Sequence, residues 1–158
     1  MHSGDIATID ADGYVRIVDR KKELLINSAG KNMSPQNIEG AIKVACPLVM
    51  SAIAIGDDKP YVTALLTLDP DACTAYATQA GKPDASPAAL AADPEVRALI
   101  EAGIQDANAK LSRVEQIKRF SLLAAVWEPG GDELTPTMKL KRRPIAEKYQ
   151  DAIESLYA

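Results

Sequence analysis

The spacing of apolar positions changes period several times along the chain. Ile6-Ala7-Thr8-Ile9 and Tyr14-Val15-Arg16-Ile17-Val18 are short β-rich runs. Asp10-Ala11-Asp12-Gly13 separates them, and Gly13 offers a residue that tolerates φ > 0, so a β-hairpin is expected. A smaller hairpin follows, with Leu24 to Asn27 as its first arm and Ser28-Ala29-Gly30 as its turn. Ile38, Ala41, Ile42 and Ala45 then recur at helical spacing behind Ser34-Pro35, a capping residue followed by a proline suited to the first helical position. Pro47 ends that helix. Val49 to Ile55 and Tyr61 to Leu68 are the strongest strands, and the turn Gly56 to Pro60 makes them antiparallel neighbours.

Asp69-Pro70 and Asp93-Pro94 repeat the cap-plus-proline signal. The first opens an Ala-rich helix that runs to Gly81. Residues 81–87 form a loop. The second opens a helix whose stripe is Val96, Leu99, Ile100, Ile104, Ala107 and Leu111. Ile117 to Val126 reads as a strand. Glu128 to Met138 is polar and contains Pro129-Gly130-Gly131, which predicts a mobile surface loop, and Pro144 to Leu156 closes the chain as an amphipathic helix. The fold class is α+β: a small, mostly antiparallel sheet with packed helices, preceded by a β-hairpin.

Composition narrows the function classes. The chain has 158 residues, enough for one domain with a short extension, and 47% apolar residues can fill a core. Aromatics make up only 4%, so aliphatic side chains must do most of the packing. A net charge of −4 opposes bulk binding to nucleic acid or an anionic membrane, so any basic site must be local. Cys46 and Cys73 lie far apart with no histidine cluster nearby, which fits free core thiols rather than zinc ligands. No basic-then-apolar segment opens the chain, and Val44 to Ile55 is interrupted by Pro47 and too short to span a bilayer, so a cytoplasmic location is expected.

Three constellations are candidates for chemistry. Asp5, in Ser3-Gly4-Asp5, has a carboxylate that can accept both hydroxyls of a ribose, and Arg20 beside Asp19 can add a donor. Solvated surface charge is the plainer reading of the same residues. Thr135 to Arg143 ends in Lys139-Leu140-Lys141-Arg142-Arg143, where one ammonium on a flexible stem could reach a phosphate. A solvated basic cap before the last helix, or a nonspecific polyanion patch, is the alternative. The third is Asp19 to Asn32, a charge cluster that leads into Gly30-Lys31. It is not a phosphate-binding P-loop, because Leu25 stands where that motif needs glycine and Asn32 where it needs Ser or Thr. The single histidine, His2, is terminal, so no internal Ser-His-Asp or Cys-His arrangement exists.

Together these blocks resemble the C-terminal part of adenylate-forming enzymes, in particular the long-chain fatty-acid–CoA ligase branch. The likeness runs the length of the chain. It implies that Asp5 and Arg20 contact the nucleotide, that Lys22 in Asp19-Arg20-Lys21-Lys22-Glu23 is the hinge, and that Lys139 in Thr135 to Arg142 is the catalytic lysine. Ser28, Ala29, Gly30 and Lys31, followed by Ser34-Pro35-Gln36, resemble the loop that enters the active site for thioester formation, and Glu39 matches a glutamate of the next helix. Residues 1–21 would be the tail of a large N-terminal domain and residues 22–158 a lid.

The implied reaction joins a fatty acid to CoA at the expense of ATP and Mg2+, through acyl-AMP, with AMP and pyrophosphate as products. The implied partner is a large domain that carries the phosphate loop, the acyl pocket and the magnesium-coordinating glutamate, so the lid would be inactive alone. No nucleic acid partner is expected, and peripheral membrane contact is open to the parent enzyme. A stand-alone CoA-binding, nucleotide-binding or interaction module, or the lid of another adenylating enzyme, are the competing readings.

Overall fold

The computed structural model of the chain describes residues 5–9, 11, 13, 15–20 and 24–158. Strands β1 (Asp5–Ile9) and β2 (Val15–Arg20) pair antiparallel, with Gly13 at φ 84° in their connection. The register sets Asp5 opposite Arg20. Ser3, Gly4 and the expected hinge residue Lys22 lie outside the described residues. A second, minimal hairpin joins β3 (Leu25–Ile26) to β4 (Asn32–Met33), as the turn at Ser28 to Gly30 led one to expect.

Four helices begin in one way. They are α1 (Pro35–Ala45), α2 (Pro70–Ala80), α3 (Pro87–Ala91) and α4 (Pro94–Lys110). In each, a Ser or Asp in extended backbone accepts a backbone N–H of the first turn, and proline follows it. Ser34, Asp69 and Asp93 match the expectation. Ser86-Pro87 carries the same signal, so the stretch expected as loop to residue 87 instead yields to α3.

The central sheet has the order β5 (Val49–Ile55), β6 (Val62–Leu68), β7 (Ile117–Leu123). β5 and β6 are antiparallel neighbours, as expected from the turn between them. β7 returns after α2, α3 and α4 and lies parallel to β6, which makes this sheet mixed, and it ends at Leu123 rather than Val126. A crossover through helices is what permits parallel pairing. Every residue of β6 is buried, as befits a central strand covered on both faces.

Alternation along the strands divides the core into two layers. Ala52, Ala54, Ala64 and Leu66 join one apolar cluster, with Ile38 and Ile42 of α1 and Val96, Ile100 and Ile104 of α4. Ile53 and Leu65, which point the other way, join Trp127, Leu134, Ile145, Ile153 and Leu156 in a second cluster. Leu99, expected in the α4 stripe, is 49% exposed, while Gly103 is buried in that helix.

Two expectations near the C-terminus change. The segment 128–138 is not a detached surface loop: Leu134 is 1% exposed in the second cluster, and isolated bridges join it to Pro129 and Leu140. The closing helix is two helices, α5 (Arg142–Lys148) and α6 (Gln150–Tyr157). Tyr149 between them leaves helical geometry at φ −106°, ψ 25°. Its hydroxyl donates to Glu133 Oε1 at 3.2 Å and accepts from Trp127 Nε1 at 3.1 Å. At the far end of α6 the Tyr157 hydroxyl reaches the carbonyls of Ile55 and Tyr61 at 3.1 and 2.9 Å, and the Tyr61 and Tyr157 rings stack at 4.9 Å.

Candidate functional site

The basic run 139–143 is sorted by its surroundings. Arg142 makes a two-pronged contact with Glu39, Nη1 to Oε1 at 2.6 Å and Nη2 to Oε2 at 3.0 Å. Lys141 Nζ donates to the Gly131 carbonyl at 2.8 Å. Arg143 pairs with Glu147 one helical turn on, at the surface. Lys139 is exposed, and its ammonium makes no ion pair or side-chain hydrogen bond with a described residue. Of the four cations it alone makes no ion pair or side-chain hydrogen bond with the described residues.

Lys139 sits on a tight turn. The Thr135 N–H donates to the Lys139 carbonyl at 2.8 Å, and the Lys139 N–H donates to Thr135 Oγ1 at 3.0 Å. Met138 completes the reversal at φ 64°, a left-handed conformation unusual for a residue with a side chain. The turn is anchored from below by buried Leu134. Its flanks are anchored by the Lys141 N–H, which donates to the Glu133 carbonyl at 2.8 Å, and by Lys148 Nζ, which donates to Glu133 Oε1 at 2.6 Å. The Glu133 carboxylate beside it raises the Lys148 pKa above the ordinary lysine range.

The Gly30 loop is built differently. The Asn27 carboxamide oxygen accepts the Ala29 and Lys31 N–H groups at 3.0 and 2.9 Å, and Gly30 takes φ 80°, so this Asn closes the turn with its own side chain. Ser28 donates its N–H to the Lys59 carbonyl at 3.0 Å, and Ile26 donates its N–H to Asp57 Oδ1 at 3.2 Å, so the β5–β6 turn braces the hairpin. Ser28, Ala29, Gly30 and Lys31 are all exposed. Leu25 and Met33 root the hairpin in the first apolar cluster, whereas Leu134 and Leu140 root the Lys139 turn in the second. The two candidate segments therefore hang from opposite faces of the central sheet, and no hydrogen bond joins them among the described residues.

Glu39 links the layers. It projects from α1, the helix that leaves the Gly30 hairpin, and is 7% exposed. Its Oε1 accepts the Ala54 N–H of edge strand β5 at 3.0 Å, while the same carboxylate holds Arg142, three residues beyond Lys139. A buried carboxylate with a bidentate guanidinium and a backbone donor is well satisfied, and so tolerable in the interior.

Beside this link runs a groove of about 460 Å³ between the β3 end of the hairpin and α5–α6. Its apolar wall includes Leu25, Ile53 and Ile153, and Lys59 and Arg143 lie on its lining. Of the residues expected to matter, Asp5 and Arg20 are register partners across the first hairpin. Glu39 and the Lys139 segment come together through Arg142. Asn27 and Thr135 were not anticipated as turn-closing residues, although each stands four residues before the lysine whose backbone it holds. Among the described residues no group of three or more His, Cys, Asp or Glu side chains could hold a metal ion. Nor is any helix among them long and apolar enough to cross a membrane.

Residues 22–158 match the family model described as the AMP-binding enzyme C-terminal domain. The whole chain is 65% identical, over 158 residues, to a Mycobacterium tuberculosis protein provisionally named fatty-acid–CoA ligase fadD11. It is 39% identical over 156 residues, 98% of its length, to the long-chain-fatty-acid–CoA ligase FadD15 of the same species. It spans only 28% and 26% of those two relatives. In backbone it is similar to the adenylation domain of a carboxylate reductase from Mycobacterium chelonae, with a TM-score of 0.75 over 98% of this chain and 22% of that one, at 22% identity.

Proposed function

This chain belongs to the AMP-binding enzyme C-terminal domain family, and from that premise we propose that it serves as the lid of a long-chain fatty-acid–CoA ligase, with residues 1–21 as the tail of the preceding large domain. Lys139 is the adenylation lysine, and Ser28 to Lys31 form the loop for thioester formation. Asp5 and Arg20 face the nucleotide, Lys22 is the pivot, and the parent enzyme works in the cytoplasm.

Lys139 carries this reading: of the four cations in its run, it alone is left unpaired by described residues, at the closing end of a braced turn. In the first half-reaction a fatty-acid carboxylate oxygen attacks the α-phosphorus of ATP, the bond to the β-phosphate oxygen breaks, and pyrophosphate leaves. Negative charge grows around the α-phosphate as this happens, and a fixed ammonium there lowers the barrier. Magnesium would be held by the large domain together with the ATP phosphates.

In the second half-reaction the CoA sulfur attacks the acyl carbon, the acyl–phosphate C–O bond breaks, and AMP leaves. The thiol proton passes to base or solvent. The Gly30 loop, on the opposite layer from Lys139, is exposed, and its Ser28-Ala29-Gly30 tip carries only small side chains, which suits close approach to the pantetheine arm. A rotation about Lys22 would exchange the two segments at one active site.

The test is adenylation in the full-length enzyme, read by pyrophosphate exchange. Lys139→Ala is expected to lower it on the order of 100-fold or more, as loss of a transition-state charge contact does, while Arg143→Ala changes it less than about threefold. Equal losses for the two variants would refute the role of Lys139.

A further inference from the structure

We infer that Thr135 is a positioning residue for adenylation, acting through Lys139; this rests on the function proposed above. Both backbone hydrogen-bonding groups of Lys139 end on Thr135. The Lys139 carbonyl accepts the Thr135 N–H at 2.8 Å, and the Lys139 N–H donates to Thr135 Oγ1 at 3.0 Å. The Met138 N–H donates to the Thr135 carbonyl at 2.9 Å, and Thr135 Oγ1 lies 3.1 Å from Thr137 Oγ1.

The hydroxyl matters because the turn is otherwise unfavourable. Met138 sits at φ 64° and is 52% exposed, so neither glycine's freedom nor core packing holds it there. Without Oγ1 the Lys139 N–H loses its partner and Met138 can relax toward an ordinary φ. That would swing the root of the Lys139 side chain. An ammonium that must meet a developing charge is sensitive to such a shift, and a displacement of about 1 Å can cost up to about 100-fold in rate.

The Gly30 loop makes none of these contacts, so the second half-reaction is insulated from them. Buried Leu134 and the Glu133–Lys148 pair hold the flanks of the turn whether or not the hydroxyl is present.

The experiment compares Thr135→Val, which keeps the shape and removes the hydroxyl, with Thr135→Ser, which keeps the hydroxyl. Lys139→Ala is measured alongside, all in the full-length ligase. Adenylation is followed by pyrophosphate exchange, and thioester formation from supplied acyl-AMP and CoA. Thr135→Val is expected to lower the adenylation kcat about tenfold with thioester formation within about twofold of wild type, and Thr135→Ser to restore adenylation to within about twofold.

Unchanged adenylation in Thr135→Val would overturn the inference while Lys139→Ala still reports on the wider reading. So would equal losses in the Val and Ser variants, or equal losses in both half-reactions, since the first removes the hydroxyl from the account and the second marks general destabilisation. Undiminished adenylation in Lys139→Ala would instead defeat the function on which the inference stands.

Discussion

The Gly30 hairpin and the Lys139 turn are both tight reversals closed by a polar side chain four residues before a lysine. Asn27 closes the first by accepting two backbone N–H groups, and Thr135 closes the second by accepting one. Each has one residue in the left-handed region, Gly30 in the first and Met138 in the second. Gly30 adopts it freely, and nothing lies within 4 Å of where a Cβ would stand, so the hairpin offers bare backbone and open space. Met138 adopts it against a preference of about 1–2 kcal/mol, so its turn depends on surrounding hydrogen bonds and on buried Leu134. A bare loop suits close approach to a ligand chain. A strained, braced turn suits holding one charge in one place. The two are rooted in opposite layers of the core, and Glu39 with Arg142 is the polar clip between those layers.

The largest expected effect comes from removing that clip. Glu39→Leu leaves the Arg142 guanidinium, 24% exposed, without its carboxylate, and should destabilise the chain by about 3 kcal/mol in chemical denaturation. Glu39→Leu combined with Arg142→Leu should recover part of that loss, because the guanidinium that faced the carboxylate is removed with it. An unstable double variant would show that the layers depend on the ion pair itself.

Leu134→Ala comes next, at about 2–3 kcal/mol for a residue 1% exposed in the second cluster. Hydrogen exchange should then speed up at amides 129–141 and stay unchanged at 26–33, and acceleration in both segments would abolish the distinction between the two regions. Asn27→Ala should cost about 1 kcal/mol, through the lost acceptor for two amides, and accelerate exchange at Ala29 and Lys31 alone.

The smallest effect is the share of the alkaline pH dependence that comes from the two buried thiols of the first layer. Burial, reinforced by Asp106, pushes the Cys46 thiol up to about 11 from an ordinary 9.0, and burial with Asp69 raises Cys73. The folded chain therefore keeps thiol protons that the unfolded chain releases, so this contribution is complete below pH 9 and falls as pH rises toward 11. Replacing Cys46 by Ala should flatten that part of the stability–pH curve. A slope unchanged by the substitution would show that Cys46 is not its source.

Much of this arrangement could be read from sequence where local chemistry decides it. Ser34-Pro35, Asp69-Pro70 and Asp93-Pro94 announce helices because cap and proline act within one turn. The β5–β6 hairpin follows from two apolar runs about a Gly-Asp-Asp-Lys-Pro turn. The parallel pairing of β7 with β6 was not legible, since a crossover partner leaves no mark in the strand's own residues. Leu134 was missed because a lone apolar residue among polar ones carries no period. The break at Tyr149 was missed because contacts with Trp127 and Glu133, 22 and 16 residues away, accompany it. Lys139 was singled out by family likeness; the pairing of its basic neighbours supplies a physical reason that spacing alone could not. The Glu39–Arg142 contact spans 103 residues and is visible only in three dimensions.

If the two regions serve different half-reactions, a crossed comparison in the full-length ligase will separate them. Lys139→Ala and Gly30→Val, the latter placing a branched side chain at φ 80°, are each assayed for adenylation and for thioester formation from supplied acyl-AMP. A crossed pattern is expected: Lys139→Ala loses adenylation by on the order of 100-fold and keeps thioester formation, while Gly30→Val loses thioester formation by on the order of tenfold and keeps adenylation. Parallel losses, with both variants depressing the same half-reaction or both half-reactions alike, would contradict it.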